Sequence, residues 1–422
     1  MIRTRLGYTL LLYALLPRVL WHLIWRARRQ PAYLKNIPER FGYYRQKVKS
    51  PLIWVHAVSV GETRAAAPLI LALQKKYPQH QILLTHMTPT GSETGEALFG
   101  DGVLRCYLPY DYPGAVARFL DYFKPRIGLL METEIWSNLI HGCRRQRIPL
   151  YLINARLSEK SFARYRRFAD LVRASLGELT AVAAQTQDDA ERLTALGAEN
   201  VTVVGNLKFD IEPPAAQLEL GKSWRRNYGE SRPVLLAAST RDGEEEELLG
   251  VLEQISVPSL LTVIVPRHPQ RFDEVAALLT RRGIRFQRRS SNAAIVPETR
   301  VLLGDSMGEM FAYYAACDVA FVGGSLLPFG GQNLIEACAA GRPTLVGPHT
   351  YNFAEATAFA IAAGAAVRVG DAREFACEAK RLLEDRSAAT RMAEAARAFS
   401  KAHQGATART LELLKLEIGN GK

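Results

Sequence analysis

The chain reads as an α/β protein of two Rossmann-like, doubly wound domains preceded by an apolar, membrane-anchoring helix. Three observations predict this. From residue 51 onward, short apolar runs alternate with amphipathic stretches, the mark of βα units around a parallel sheet. That rhythm breaks around Pro213-Pro214 and then begins again. An apolar run over residues 6–25 stands apart from both series, beside a cluster of basic residues.

The 422 residues are enough for two α/β domains of ordinary size. A hydrophobic share of 48% with 23% charged residues excludes a disordered chain. Cys106, Cys143, Cys317, Cys338 and Cys377 are scattered, odd in number and without a CxxC pair, so they read as reduced thiols in the cytosol. No HExxH or comparable His/Asp cluster suggests a bound metal. The net charge is +12, and residues 1–50 hold eleven Lys or Arg against the single acid Glu39. Uniform basicity would suggest nucleic acid. Basicity gathered beside an apolar N-terminus points instead to an anionic membrane surface.

The N-terminal run is about 20 residues, just enough to cross a hydrocarbon core. Arg18 and His22 oppose deep burial, and Pro17 predicts a kink. No small-residue cleavage site comes after it, which argues against a removed signal peptide. Arg26, Arg28 and Arg29 predict that the remainder of the chain stays in the cytoplasm, and Trp21 and Trp25 suit the interfacial belt. Residues 1–28 are therefore expected to anchor the chain, whether by spanning or by lying in the interface.

Strands are expected at 52–56, 81–85, 103–107, 127–131, 150–153, 181–184 and 201–204, with helices between them, for example at 64–77 and 186–196. These make a first domain, 29–209. Residues 210–230 read as a linker. The second series places strands at 234–238, 260–265, 301–303, 319–322, 344–346 and 366–369. Its helices are expected at 243–255, 272–282, 310–316, 334–340, 355–363 and 372–383. These make a second domain, 231–387, followed by further helix over 388–422 that is able to return to the first domain. Two such halves place a ligand cleft between them, at the carboxyl ends of their strands.

The most informative segment runs from Gly323-Gly324-Ser325 through Gly330-Gly331-Gln332-Asn333 to Glu336. It follows an apolar strand and opens a helix. Backbone N–H groups in such a loop can close on a phosphate. Asn333 and Glu336 lie one helical turn apart, and a carboxylate there can accept from a ribose. The bland alternative is a glycine turn required by strand–helix packing. Other strand ends also carry polar groups. Glu62 opens a helix after Ser59 and Gly61, where it either favours the helix dipole or acts as a general base. Thr85 through Ser92 is rich in hydroxyls, suiting either a sugar or phosphate or simply a capped loop. Glu132 and Glu134 stand at i and i+2, so one at most is expected to enter a site. Lys208 lies near the domain boundary, Arg267-His268 follow a strong strand, and Met307-Gly308-Glu309 repeat the loop-then-helix arrangement.

These motifs together resemble the 3-deoxy-D-manno-octulosonic acid (Kdo) transferase family. The resemblance rests on HAVSVGE (56–62), THMTPTGSETG (85–95), METEIWSN (131–138), NARLS (154–158), GNLKFD (205–210), PRHP (266–269), GDSMGEM (304–310), FVGGSLLPFGGQN (321–333) and GPHTYNF (347–353). It runs in order over nearly the whole chain. It implies a glycosyltransferase B-type fold, anchored on the cytoplasmic side of a cell inner membrane. CMP-Kdo would be the donor substrate, with no cofactor and no metal, and a lipid A precursor the acceptor. It further implies Glu62 as proton acceptor and Glu132 and Lys208 as transition-state stabilisers. Arg267, His268, Met307, Gly308, Glu309, Asn333, Leu334, Ile335 and Glu336 would hold CMP. The chain departs from the family pattern at Leu334 and Ser137, where many relatives have proline. Proline at a first helical position is dispensable, so little change is expected.

The implied reaction is inverting, and the implied partners are CMP-Kdo, a lipid A precursor and anionic inner-membrane lipids, with no nucleic acid. Two competitors stay open at this point. One is another lipid-directed glycosyltransferase of the same fold using a UDP-sugar, and the other is a membrane-bound nucleotide sensor without turnover. A dehydrogenase fits poorly, because no strand-linked GxGxxG fingerprint occurs.

Overall fold

The computed structural model describes residues 4–28 and 30–414. The chain divides into two compact units, one reaching to Asp210 and resuming at His403, the other running from Ile211 to Ala402. In the first, seven strands form one sheet: β1 (Leu52–His56), β2 (Gln81–His86), β3 (Leu104–Tyr107), β4 (Ile127–Met131), β5 (Leu150–Ala155), β6 (Ala181–Ala184) and β7 (Val201–Val203). Their order is β3-β2-β1-β4-β5-β6-β7, with every pair parallel. The second unit repeats the plan with β8 (Val234–Thr240), β9 (Leu261–Pro266), β10 (Phe286–Arg288), β11 (Val301–Leu303), β12 (Val319–Val322), β13 (Thr344–Val346) and β14 (Ala366–Arg368). Its order is β10-β11-β9-β8-β12-β13-β14, again all parallel.

The alternation of side chains along β1 shows why such strands are apolar throughout. Leu52 and Trp54 join Phe119 and Leu120 on one face of the sheet. Ile53 and Val55 join Leu69, Ile70 and Leu73 on the other. A parallel sheet covered by helices on both faces leaves no wet side for polar residues. Strand order reverses beside β1 and β4 in one unit and beside β8 and β12 in the other. At such a reversal the loops leave to opposite faces and open a crevice at the strand carboxyl ends.

The expected linker is in part a helix, Ala215–Tyr228, that belongs to the second unit. Pro214 supplies its extended N-cap, so the proline pair starts the helix as well as ending the segment before it. Gly221 lets it approach the helix Met310–Ala316, where a Cβ would lie 2.4 Å from the Ala312 carbonyl oxygen. Trp224 packs on Tyr313, with ring centroids 4.8 Å apart. The expected C-terminal helical segment is two helices, Arg386–His403 and Ala406–Leu413, broken at Gly405 with φ +96°. Ala388 and Met392 of the former complete the second unit's core. Ala406 and Leu414 enter the core of the first.

The apolar N-terminal helix Arg5–Ala27 is long and apolar enough to cross a membrane, and it is almost wholly uncovered by the rest of the chain. Leu6, Leu10, Trp21 and Ile24 are exposed. It meets the first unit at a defined place. The Thr9 hydroxyl donates to Asn138 Oδ1 at 3.1 Å, the Tyr112 hydroxyl donates to the Leu12 carbonyl at 3.1 Å, and Tyr13 packs on Tyr112. Asn138 is itself fixed by buried Asp111, whose carboxylate accepts from the amides of Asn138 and Leu139 at 3.0 and 2.8 Å. Burial pushes Asp111 up to about 7, against the pull of those hydrogen bonds.

Asp210 closes the first unit. Its carboxylate accepts from the amide of Gly405 at 2.6 Å and from that of Thr407, capping the last helix across a long sequence gap. Asp210→Ala should cost about 1–2 kcal/mol, the usual loss of an N-cap. Hydrogen exchange over residues 405–413 should accelerate, while the cores of both sheets stay protected.

Candidate functional site

Glu62 lies in the first turn of the helix Val60–Lys76, four residues earlier than the expected helix start. The start is set by Ser59, whose hydroxyl oxygen accepts from the Glu62 amide at 3.4 Å. Glu62 answers by accepting from the Ser59 hydroxyl at 3.0 Å and the Val58 amide at 2.8 Å. This reciprocal arrangement is a capping box, shifted by one residue on the backbone side. Its electrostatics go beyond capping. Burial raises the carboxyl to about 7, the nearby charges of Glu132 and Glu134 add to the rise, and the two hydrogen bonds oppose it. A carboxylate poised near neutral pH is suited to accept and release a proton.

The ends of β1 and β2, which border the Glu62 turn, carry two buried histidines. His56 contacts the Thr85 hydroxyl and carbonyl through Nδ1, and burial drives it down to about 3. His86 contacts the Ala57 carbonyl at 2.9 Å, and burial lowers it to about 4. The Thr88 hydroxyl donates to the Val58 carbonyl at 3.0 Å and also caps the helix Pro89–Phe99. The hydroxyl-rich second motif is thus a capped loop that braces the Glu62 turn.

Glu132 follows β4, across the strand-order reversal from β1. It has φ +59°, a left-handed conformation rare for a side chain of this size. Its carboxylate meets Lys208 Nζ at 3.4 Å, with both groups about three-quarters buried. Glu134 accepts from the Trp136 indole at 2.6 Å. The two acids take different partners, yet both lie close enough to Glu62 for their charge to act on its carboxyl. Lys208 is placed by Asn154 and Asn206, both within the sequence motifs, and by Gln185, which sequence reasoning passes over. The Leu207 amide donates to Asn154 Oδ1 at 3.0 Å, and Asn206 accepts from the Lys208 amide and donates to Gln185. Asn154 itself has φ +50° at an irregularity in β5. The first unit thus brings Glu62, Glu132 and Lys208 to one edge of its sheet. A partly exposed ion pair such as Glu132–Lys208 contributes at most about 1 kcal/mol to stability, so its value is positional.

In the second unit Arg267 follows β9, and its Nε donates to Gln332 Oε1 of the glycine loop at 3.2 Å. His268 beside it is exposed, and its pKa is lowered by desolvation first and then by Arg241, Arg267 and Arg271. Met307 and Gly308 are exposed after β11, with Gly308 at φ +78°. Glu309 pairs with Arg289 at 3.2 Å, and the Arg289 guanidinium also lies 4.4 Å over Trp224. Asn333 caps the short helix Leu334–Ala339 and donates to Glu336 at 3.2 Å. Leu334 and Ile335 are buried, so only their backbone could meet a ligand.

The glycine loop departs from the phosphate-cradle reading. The amides of Gly324 and Leu326 donate to buried Glu244, at 2.6 and 2.9 Å, and Leu327 completes the set at 3.5 Å. An internal carboxylate holds the place expected for an anionic ligand. The packing reading of the glycines also holds, because a Cβ on Gly323 would lie 2.7 Å from the Ser239 carbonyl oxygen and Thr240 Cα. Glu244 opens a run of four acids that resembles a solvated helix start, and no sequence signal marks it as buried. Arg241 is absent from the sequence-predicted site although it directly follows a strand, which is the signal that could have found it.

Residues 35–211 match the family model described as 3-Deoxy-D-manno-octulosonic-acid transferase (kdotransferase), and residues 284–399 match that of group 1 glycosyl transferases. A 3-deoxy-D-manno-octulosonic acid transferase of Bordetella pertussis is 47% identical over 98% of this chain and 99% of its own length. The chain belongs to the Kdo transferase family. A family member from Haemophilus influenzae is 38% identical over 97% of this chain and 98% of its own. Among solved structures, the UDP-GlcNAc 2-epimerase of Neisseria meningitidis shares the fold, with a TM-score of 0.57 at 19% identity over 86% of this chain and all of its own. A Rickettsia africae glycosyltransferase gives 0.56 at 13% identity over 89% of this chain and all of its own. The two-sheet architecture with its N-terminal apolar helix is that of a glycosyltransferase B-type member of the Kdo transferase family.

The raised Glu62 carboxyl has a measurable consequence. If it serves this transferase as the base, the active form is the deprotonated one, so the rate should climb as pH rises through about 7 rather than near 4.5. Glu134→Gln removes a like charge and should move that limb toward acid. Glu62→Gln, which keeps the cap, should lower kcat by about 10²–10⁴ and abolish the limb.

Proposed function

We propose that this chain transfers Kdo from CMP-Kdo to a hydroxyl of a phosphorylated disaccharide lipid A precursor, lipid IVA, with inversion at the anomeric carbon. The observation carrying this reading is Glu62, a carboxyl held near neutral pH beside the Glu132–Lys208 pair. Glu62 takes the proton of the acceptor hydroxyl. The oxygen attacks the anomeric carbon from the side opposite the phosphate, the carbon–oxygen bond to phosphate breaks, and CMP leaves with the electron pair. CMP is already a good leaving group, so the protein supplies chiefly a base, alignment and charge compensation. Lys208 offsets developing negative charge and Glu132 fixes its ammonium. Arg267 and His268 serve the CMP phosphate. Met307, Gly308 and Glu309 serve the nucleoside, together with Asn333, Glu336 and the backbone of Leu334 and Ile335. The reaction so drawn needs neither cofactor nor metal.

The exposed helix Arg5–Ala27 and the basic residues after it support attachment to anionic lipid on the cytoplasmic face of an inner membrane. Mass spectrometry of products from CMP-Kdo and lipid IVA tests the transfer, and a donor panel containing UDP-sugars tests its nucleotide. A mass gain of one or more Kdo units with CMP-Kdo alone is the expected outcome; transfer only from UDP-sugars would refute it. NMR of the new linkage reads its configuration. Deleting residues 1–28 should release the protein from vesicles containing anionic lipid, with CMP affinity changed less than about threefold.

A further inference from the structure

We propose that Arg241 forms a carboxylate subsite that recognises the acid group of the sugar donor. The inference rests on the donor assigned above. In Kdo the carboxylate is bonded to the anomeric carbon, and in the activated sugar that same carbon carries the CMP phosphate. Two anions therefore stand side by side, and a matching site needs two adjacent cations.

The edge of the second sheet presents such a pair. Thr240 and Pro266 are register partners at the ends of β8 and β9, and the Arg267 amide donates to the Thr240 carbonyl at 2.9 Å. Arg241 and Arg267 are the next residue on each strand. Paired strands lie about 4.8 Å apart, so the two side chains leave the backbone at neighbouring points. Arg241 lies against Gly324 directly, and Arg267 is linked to the same glycine through Gln332. A Cβ on Gly324 would lie 3.4 Å from Arg241 Cγ and 2.9 Å from Nε2 of Gln332, the residue that binds Arg267. The Arg241 guanidinium lies 4.8 Å over the Phe329 ring, a cation–π contact. Strand order reverses between β8 and β12, so this loop pair borders the crevice where α/β sheets take ligands.

Acids are plentiful nearby, yet each is engaged with another group. Asp242, Glu245 and Glu274 pair with Arg271 at 3.1, 3.2 and 3.2 Å. Glu244 accepts from the Arg241 backbone amide and from the amides of Gly324 and Leu326. Among the described residues no carboxylate pairs with the Arg241 side chain. A planar guanidinium gripping a carboxylate through two parallel hydrogen bonds is the natural completion. Enzymes acting on neutral sugars have no carboxylate to meet there.

The test uses the full-length protein, Arg241→Gln and Arg241→Lys, with CMP-Kdo and its C1 carboxamide as donors. Arg241→Gln keeps part of the stem over Gly324. It should lower kcat/KM for CMP-Kdo at least about 30-fold, in line with loss of a charged hydrogen-bonded pair. CMP affinity by calorimetry should stay within about threefold of the parent. Arg241→Lys should recover only part of the loss, and the parent's preference for the acid over the carboxamide should collapse in Arg241→Gln. Unchanged kcat/KM, or an equal loss of CMP affinity in both variants, would overturn the subsite while leaving the transfer reaction standing. If the parent protein itself does not turn over CMP-Kdo, the donor assignment and the subsite fall together.

Discussion

A parallel sheet sends every strand's carboxyl end to one edge, and the loops at that edge must find partners for their own backbone groups. Both units of this protein are organised by that demand. The central strands are largely apolar on both faces and leave polar side chains little room until they end. Polar side chains therefore gather just beyond strand ends such as His56, Met131, Thr240, Pro266, Leu303 and Val322. Beside β1 and β4 that rim carries three carboxyls and a lysine, and around β8 and β9 it carries arginines.

Much of what makes the rim usable is not itself reactive. Asn154 holds the Lys208 turn, Asp111 holds Asn138, and Glu244 fills the glycine loop. Asp111 and Glu244 are buried carboxyls whose hydrogen bonds replace those lost to water, the condition under which such burial is tolerated, whereas Asn154 commits its Oδ1 to Leu207 and keeps its Nδ2 buried without a partner. Substituting one of these supports would disturb geometry at a distance. Motif residues in this protein therefore sort by what they touch rather than by how reactive their side chains are.

The strands are legible in the sequence because full burial turns them into uninterrupted apolar runs, and β1, β4, β6, β11, β12 and β13 lie at the expected positions. β10 is not, since Phe286, Gln287 and Arg288 form a half-buried edge strand without such a run. Ala215–Tyr228 reads as linker because the proline pair before it signals a break, and the same pair serves equally well as a helix start. Glu62, Glu132 and Lys208 stand out by position, directly after strands. Buried Glu244 and Glu245 do not, because burial of an acid depends on partners far along the chain that no local pattern shows. The pairing of the last helix with Asp210 spans nearly two hundred residues and is equally hidden.

The Glu244 carboxylate inside the glycine loop also bears on recognition. A loop whose amides wait for an incoming anion must be ordered by that anion, and the ordering weakens binding. Here the loop carries its own acceptor in Glu244, so the Gly324 and Leu326 amides are satisfied within the fold. What this stretch can offer to a partner is therefore its side chains rather than the amides of Gly324 and Leu326.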